Sequence, residues 1–251
     1  MIAALGMYDM PHLHAAHDRY WTAIRAALGY GPAALTRDMD PWDAWLSPDL
    51  VLAQTCGLPY RARLHGKVQL VCTPDYGLPG CPPGHYNSVL IRRRDDPRSL
   101  DALCTHGVMA FNDGLSQSGW AAPLAHLTAH GARPGRVVHT GAHLASVAAV
   151  RDGRADFAAL DALTHILWAE HDPEAAQAVE VFDHTTPTPV LPYITSLDRD
   201  PEPIARAIAD AIDTLPHQDR AALHLRGVVQ ITAEDYLRLP LPPTPAESRI
   251  T

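Results

Sequence analysis

From Ser99 to Glu170 the chain alternates short apolar runs with stretches at helical spacing, and each apolar run ends in a polar or glycine-bearing turn. The spacing predicts a helix over 99–103, a strand over 107–111, a helix to about His130, a strand over 136–139, a helix to Arg151, a strand over 155–160 and a helix to about Glu170. Strands separated by helices cannot pair as tight hairpins. They line up parallel, with the helices covering the faces of the sheet. The expected class is therefore α/β, with a mostly parallel sheet. Such a sheet presents the carboxyl ends of its parallel strands along one edge, where ligands bind.

The flanking regions fit a second layer of the same kind. Residues 1–6 read as a strand, and Leu13, Ala16, Tyr20, Ile24 and Leu28 recur at helical period until Gly29. A short strand is expected near 35–37, a Trp-rich helical turn over 41–46, and strands over 49–54, 67–72, 86–91, 178–182 and 193–195. Helices follow over 201–214 and 217–223, then an extended piece over 228–231 and a last helical turn capped by Thr232. The proline-rich tail from Pro240 reads as loose. This order suggests two lobes, 1–89 with 190–251 and 90–189, the chain crossing near 86–92 and 185–193.

Composition narrows the function classes. With 28 acidic and 20 basic residues and a formal net charge of -8, the chain has no nucleic-acid surface to offer. Arg92-Arg93-Arg94 reads as a solvated strand end, offset by Asp95 and Asp96. No run is long enough for membrane insertion. No secretory signal is visible at Met1–Tyr8, so the chain as it stands reads as cytoplasmic, or as periplasmic if a leader has been removed. Of the four cysteines, Cys72 and Cys104 lie in apolar runs. Cys56 and Cys81 lie in loops, where a disulfide and two free thiols are both open. Among the 15 histidines only His14 and His17 share a helix face within their cluster, so no metal site and no cofactor is expected.

Five strand ends carry chemistry: Tyr8-Asp9, Gln54-Thr55-Cys56, Asn112 to Ser118, Thr140-Gly141-Ala142-His143, and Asp161. The third is the richest. In Asn112-Asp113-Gly114-Leu115-Ser116-Gln117-Ser118-Gly119-Trp120, Ser116 stands where an N-cap belongs and can accept from the amide of Ser118 or Gly119. A helix start has amides without acceptors and a partial positive charge, so the stretch reads either as a small-anion cradle or as an ordinary capped helix. Thr140 is expected to cap the next helix in the same way. Asp161 reads as a ligand contact or as a helix cap. No Gly-x-Ser-x-Gly elbow, phosphate-binding Gly-Lys loop or dinucleotide fingerprint occurs, and the only lysine is Lys67, so an enzyme is not expected.

The order of Gln54-Thr55-Cys56-Gly57-Leu58-Pro59-Tyr60, Gly80-Cys81, Tyr86-Asn87-Ser88, Ser116-Gln117-Ser118-Gly119, Thr140-Gly141-Ala142-His143, Gly153-Arg154-Ala155-Asp156 and Asp161 resembles the phosphate/phosphite/phosphonate solute-binding proteins of ABC transporters. The resemblance implies a type II periplasmic-binding-protein fold, two lobes with a cleft between. It implies a small oxyanion ligand, lobe closure around it, and an ABC permease as partner. Carried over by position, the ligand contacts fall on Tyr8, Thr55, Cys56, Tyr60, Asn112, Ser116, Gln117, Ser118, Thr140, His143 and Asp161. The alternative is a cytoplasmic sensor or an enzyme of the same fold, acting on a small metabolite through Cys56 or His143.

Overall fold

A computed structural model describes residues 1–245. The chain divides into two compact units. The first comprises Met1–His85 and Pro189–Leu239, the second Tyr86–Thr188 with residues 240–245. The first two passages between units fall in two short strands, His85–Tyr86 and Thr188–Pro189, which pair with each other.

The first unit is built on a five-stranded sheet in the order Ile2–Ala4, Leu50–Gln54, Tyr193–Ser196, Val68–Asp75, Gly227–Val229. Ile2–Ala4 and Leu50–Gln54 are parallel, while Tyr193–Ser196 runs antiparallel to both of its neighbours. Leu50–Gln54 is buried along its whole length, as its unbroken apolar run requires. Helices His14–Leu28 and Pro201–Thr214 pack against each other. The second of these buries Ile204, Ala207, Ile208, Ala211 and Ile212, one face at the i, i+3, i+4, i+7, i+8 spacing. A separate apolar cluster gathers Trp45, Leu50, Tyr60, Leu64, Ile194 and Tyr236.

The second unit has the sheet order Arg136–His139, Val108–Phe111, Phe157–Asp161, Ser88–Arg93, Val179–His184. The first three strands are mutually parallel, so all three end on the same edge. Ser88–Arg93, which enters the unit straight from the crossing, runs antiparallel to both of its neighbours. By direction, four of the five strands run one way. Leu90, Leu103, Met109, Leu127 and Phe157 form the core, and Phe111 stacks at 4.8 Å on Trp120.

Several elements differ from the sequence reading. Residues 35–37 form no strand. Thr36 N donates to the Ala3 carbonyl at 2.7 Å, and Arg37 turns to bond Asp9 at 2.5 Å and Asp18 at 2.8 Å. The strand expected over 86–91 breaks at Asn87, whose carbonyl accepts from Ala162 N. Of the three arginines only Arg94 is exposed, and Asp95 and Asp96 do offset the run, both pairing with Arg93. Arg92 and Arg93 are half-buried rather than solvated: the three bond the carbonyls of Arg98, Val150, Ala155, Gln177 and Val179, with Glu180 and Asp156 as further counter-charges. The unit boundaries fall at 85/86 and 188/189. Of the tail, expected to be loose and to belong with the first lobe, residues 240–245 are seated on the second unit, where the Pro243 carbonyl accepts from the Trp120 indole at 2.9 Å; 246–251 lie outside the described residues. Of the two alternatives left open for Cys56 and Cys81 the structure has thiols, and none of Cys56, Cys72, Cys81 and Cys104 is in a disulfide.

Candidate functional site

In the second unit the parallel strands 108–111, 136–139 and 157–161 end side by side, and the chain turns into a helix after each. After Phe111 the turn is closed by Ser116 N on the Asp113 carbonyl (3.1 Å) and Leu115 N on Asp113 Oδ1 (2.6 Å). Ser116 then caps the helix, its Oγ accepting from Gly119 N at 2.9 Å. The cap role read from the sequence holds, with Gly119 as the donor. A capping oxygen that accepts still carries a hydroxyl hydrogen to give away.

The first turn is wider than an α-helix. Ser116 O accepts from Ala121 N at 3.0 Å as well as from Trp120 N at 3.2 Å, and Gln117 O accepts from Ala122 N. Pro123 accounts for this, because it has no N–H to give the Gly119 carbonyl and its ring crowds that carbonyl. Widened turns of this kind recur at binding sites. Gly119 allows the turn to close, since a Cβ there would stand 1.8 Å from Asn112 Oδ1. Ser116, Gln117 and Ser118 are all buried.

Ser118 Oγ lies 3.0 Å from His143 Nε2. His143 opens the helix His143–Arg151 after the neighbouring strand, so two adjacent strand ends bring the pair together. Burial pushes the His143 pKa down to about 4, with the Ala159 carbonyl offsetting part of the effect, so the imidazole is neutral at neutral pH. The spacing is that of a nucleophile and its base. A catalytic base, however, works best with a pKa near the operating pH and a third group to orient it. His143 is too weakly basic, and its Nδ1 has no well-aligned hydrogen-bond partner among the described residues. The pair is suited to passing a hydrogen bond, not to attack.

Thr140 does not cap a helix. Its hydroxyl bonds the Phe111 carbonyl at 3.0 Å and Ser146 Oγ at 2.6 Å, and the N-cap position belongs to Ala142, which has no capping side chain. The helix starts two residues later than the sequence suggests, so Thr140 lies outside the cap position and gives its hydrogen back to the strand end. Asp161 is a cap: its Oδ1 accepts from Leu163 N (2.8 Å) and Thr164 N (3.1 Å) at the mouth of Ala162–His171. Gln117 Nε2 reaches Thr188 Oγ1 at 3.5 Å.

The first-unit candidates divide. Tyr8 is buried edge-on against Tyr76 at 5.4 Å. Thr55 is fully buried, and its hydroxyl has no hydrogen-bond partner among the described residues. Cys56 is half-buried and opens the short helix Gly57–Pro59. Tyr60 is instead a core residue, packed on Tyr236 at 5.5 Å. Gln54, at one of the strand ends singled out from the sequence, leads a polar chain behind Tyr8 whose partners the sequence did not show. Gln54 Nε2 donates to Tyr76 OH at 3.0 Å and to the Leu191 carbonyl at 3.1 Å. The available signal was a lone amide closing a wholly apolar run, Leu50–Ala53.

The sequence pattern of one family, described as "ABC transporter, phosphonate, periplasmic substrate-binding protein", matches residues 49–236. No curated protein sequence matches the chain. Among solved structures, the chain resembles the binding-protein component of an ABC phosphonate transporter from Pseudomonas aeruginosa, with TM-score 0.73, 15% identity and coverage of 94% of this chain and 82% of that one. It also resembles PhnD1 from Prochlorococcus marinus in complex with methylphosphonate, at TM-score 0.72, 16% identity and 94% coverage of both chains. A Xanthomonas citri protein bound to chloride ion follows, at TM-score 0.65, 15% identity, 95% of this chain and 93% of that one. At these identities the likeness to solved structures shows the fold, a type II periplasmic binding protein.

Proposed function

Because the chain belongs to the family of phosphonate ABC-transporter periplasmic substrate-binding proteins, we propose that its second unit receives a small oxyanion, phosphonate-like or phosphate-like, at the helix start Ser116–Ser118. The protein is a solute-binding component of an uptake system and not an enzyme. An ABC permease is the partner that this reading implies.

The observation that carries the ligand assignment is the meeting of Ser118 with His143 beside a helix start capped by a hydroxyl. Ser118 stands at the second helical position, where an amide has no acceptor within the helix. The partial charge of the helix start and the Ser116 hydroxyl add to it. His143 has two neutral tautomers. With the proton on Nε2 it donates to Ser118 Oγ, and the Ser118 hydroxyl hydrogen is then available to an anion. With the proton on Nδ1, Ser118 donates to Nε2 and shows the anion only lone pairs. The Ala159 carbonyl, which can only accept, favours a proton on Nδ1, and an oxyanion at Ser118 draws the ring toward the first tautomer against it.

Isothermal titration with phosphate, phosphite and methylphosphonate tests the reading. Heat is expected with at least one of them, and the Ser116→Ala/Ser118→Ala double variant should weaken that binding at least tenfold. No heat with any of the three refutes the ligand class, and unchanged affinity in the double variant refutes the site.

A further inference from the structure

The segment Pro240–Pro245 has a place that neither the fold nor the ligand reading assigns to it. It leaves the first unit just after the helix Ala233–Leu237, whose Tyr236 is fully buried and donates to the Val190 carbonyl at 2.7 Å. From Pro240 it belongs to the second unit, a third passage of the chain between the two. Two of its contacts there fall on the Asn112–Ala121 turn. The Pro243 carbonyl accepts from the indole of the fully buried Trp120 at 2.9 Å. Pro245 lies over Gly114, so close that a Cβ on the glycine would stand 3.1 Å from its ring carbons. Gly114 precedes Ser116 by two residues and Trp120 follows Ser118 by two. The segment therefore touches the turn on either side of the two serines.

Its composition suits docking. Four of its six residues are proline, so its φ angles are largely fixed before it binds and little backbone entropy is lost. An indole N–H given to a carbonyl in a proline-rich run is a common way for such segments to be held. Alongside runs an apolar cavity of about 570 Å³, with Leu124, Pro134, Pro240 and Pro242 in its walls.

We propose that Pro240–Pro245 is a strap that holds the Asn112–Ala121 turn in its anion-receiving geometry, with Trp120 as a positioning residue. The effect on anion affinity rests on the function proposed above, whereas the effect on the turn does not. Removing the strap frees the Trp120 indole to seek another acceptor and uncovers Gly114. The wide turn that presents Ser116 and Ser118 then loses its outer support.

The test compares the full chain with a variant lacking residues 240–251 and with Trp120→Phe, which keeps a ring but removes the donor. Amide hydrogen exchange over 115–121 is read against the central strand 157–161 as internal control. Deletion is expected to speed exchange over 115–121 at least tenfold while the strand is unchanged, and Trp120→Phe to give a smaller increase. A synthetic peptide of residues 240–251 added to the deleted chain should restore protection, and methylphosphonate affinity should fall and recover in step. Unchanged exchange over 115–121 in the deleted chain overturns the proposal. Where deletion also exposes 157–161, Trp120→Phe decides, and unchanged exchange there overturns it. A full chain that binds no oxyanion but shows the exchange effect refutes the ligand reading and leaves the strap standing.

Discussion

Gly119→Ala tests the geometry of the Asn112–Ala121 turn without reference to any ligand. The new Cβ would stand 1.8 Å from Asn112 Oδ1, 2.9 Å from Asn112 Cγ and 3.2 Å from Ser116 Oγ. The first of these is about 1.6 Å inside ordinary contact, so either Asn112 or the turn must move. Overpacking of this size costs about 1–3 kcal/mol. Alanine returns about 0.5–1 kcal/mol of helix preference over glycine. The net expectation is a loss of about 1–2 kcal/mol from the second unit. Asn112 Oδ1 has no hydrogen-bond partner among the described residues, so truncating that side chain gives up no bond at this oxygen. In an Asn112→Ala background the two contacts with Asn112 disappear and only the 3.2 Å approach to Ser116 Oγ remains, so Gly119→Ala should become close to neutral. Urea unfolding of the four chains of this double-mutant cycle measures the coupling, expected at about 2 kcal/mol. An equal cost of Gly119→Ala in both backgrounds would refute the packing account.

Acid should weaken the second unit through His143. Its folded-state pKa of about 4 lies below the usual 6.5, so the unfolded chain takes the proton first as pH falls. This share of stability is complete above about pH 6.5 and is lost between there and about pH 4, up to about 3 kcal/mol. His143→Gln should flatten that acid limb in pH-dependent unfolding, and an identical limb in both chains would count against it. Native thiol labelling should reach the half-buried Cys56 and Cys81 well before Cys72 and Cys104, whose thiols burial pushes up to about 12 and about 11. Peptide mapping after brief alkylation at pH 8 reads the order, and early labelling of Cys72 would contradict its burial. Thr55→Val removes a buried hydroxyl that has no partner, so thermal unfolding should show a neutral or slightly stabilising effect. A loss of more than about 1 kcal/mol would reveal a hydrogen bond that the structure lacks.

Period and turn chemistry were enough to place the strand–helix alternation from Leu100 to His171, because each element there is held by its own local pattern. The Ser116 cap was legible for the same reason: acceptor and donor lie three residues apart. Thr140 looks identical in sequence, and the start of its helix decides the difference: the N-cap position falls two residues later, on Ala142, and the Thr140 hydroxyl turns to the strand end. Phe111 O lies 29 residues back, and only the sheet register brings it within 3.0 Å of the hydroxyl. Tyr60 misled similarly, since nothing local announces that Tyr236 will pack on it. The strap was read as loose because prolines end local structure, and their docking surface is 120 residues away in the chain. The wide turn had a visible cause in Pro123, but a proline in a first turn more often reads as a plain helix start.

The three helix mouths on the second unit's edge are not equivalent, and the difference bears on ligand orientation. The mouth at Gln117 is capped by a neutral hydroxyl, and the mouth at His143 has no capping side chain. The mouth at Ala162 is capped by a carboxylate whose charge offsets the positive end of its helix. On the proposed reading an anionic head would be drawn to the first two and repelled from the third, and a cationic tail would have the reverse preference. An aminoalkylphosphonate should then bind about tenfold or more tightly than the matching alkylphosphonate, the usual scale for a hydrogen bond to a charged group. Asp161→Asn retains an oxygen for Leu163 N and Thr164 N, so the helix stays capped while the charge is lost. Calorimetry on that variant should show the two ligands converging, with the melting temperature held within a few degrees. Asp161→Ala, which removes the cap as well, should cost about 1–2 kcal/mol. If Asp161→Asn leaves the amine preference intact, Asp161 is a cap alone and the tail is read elsewhere.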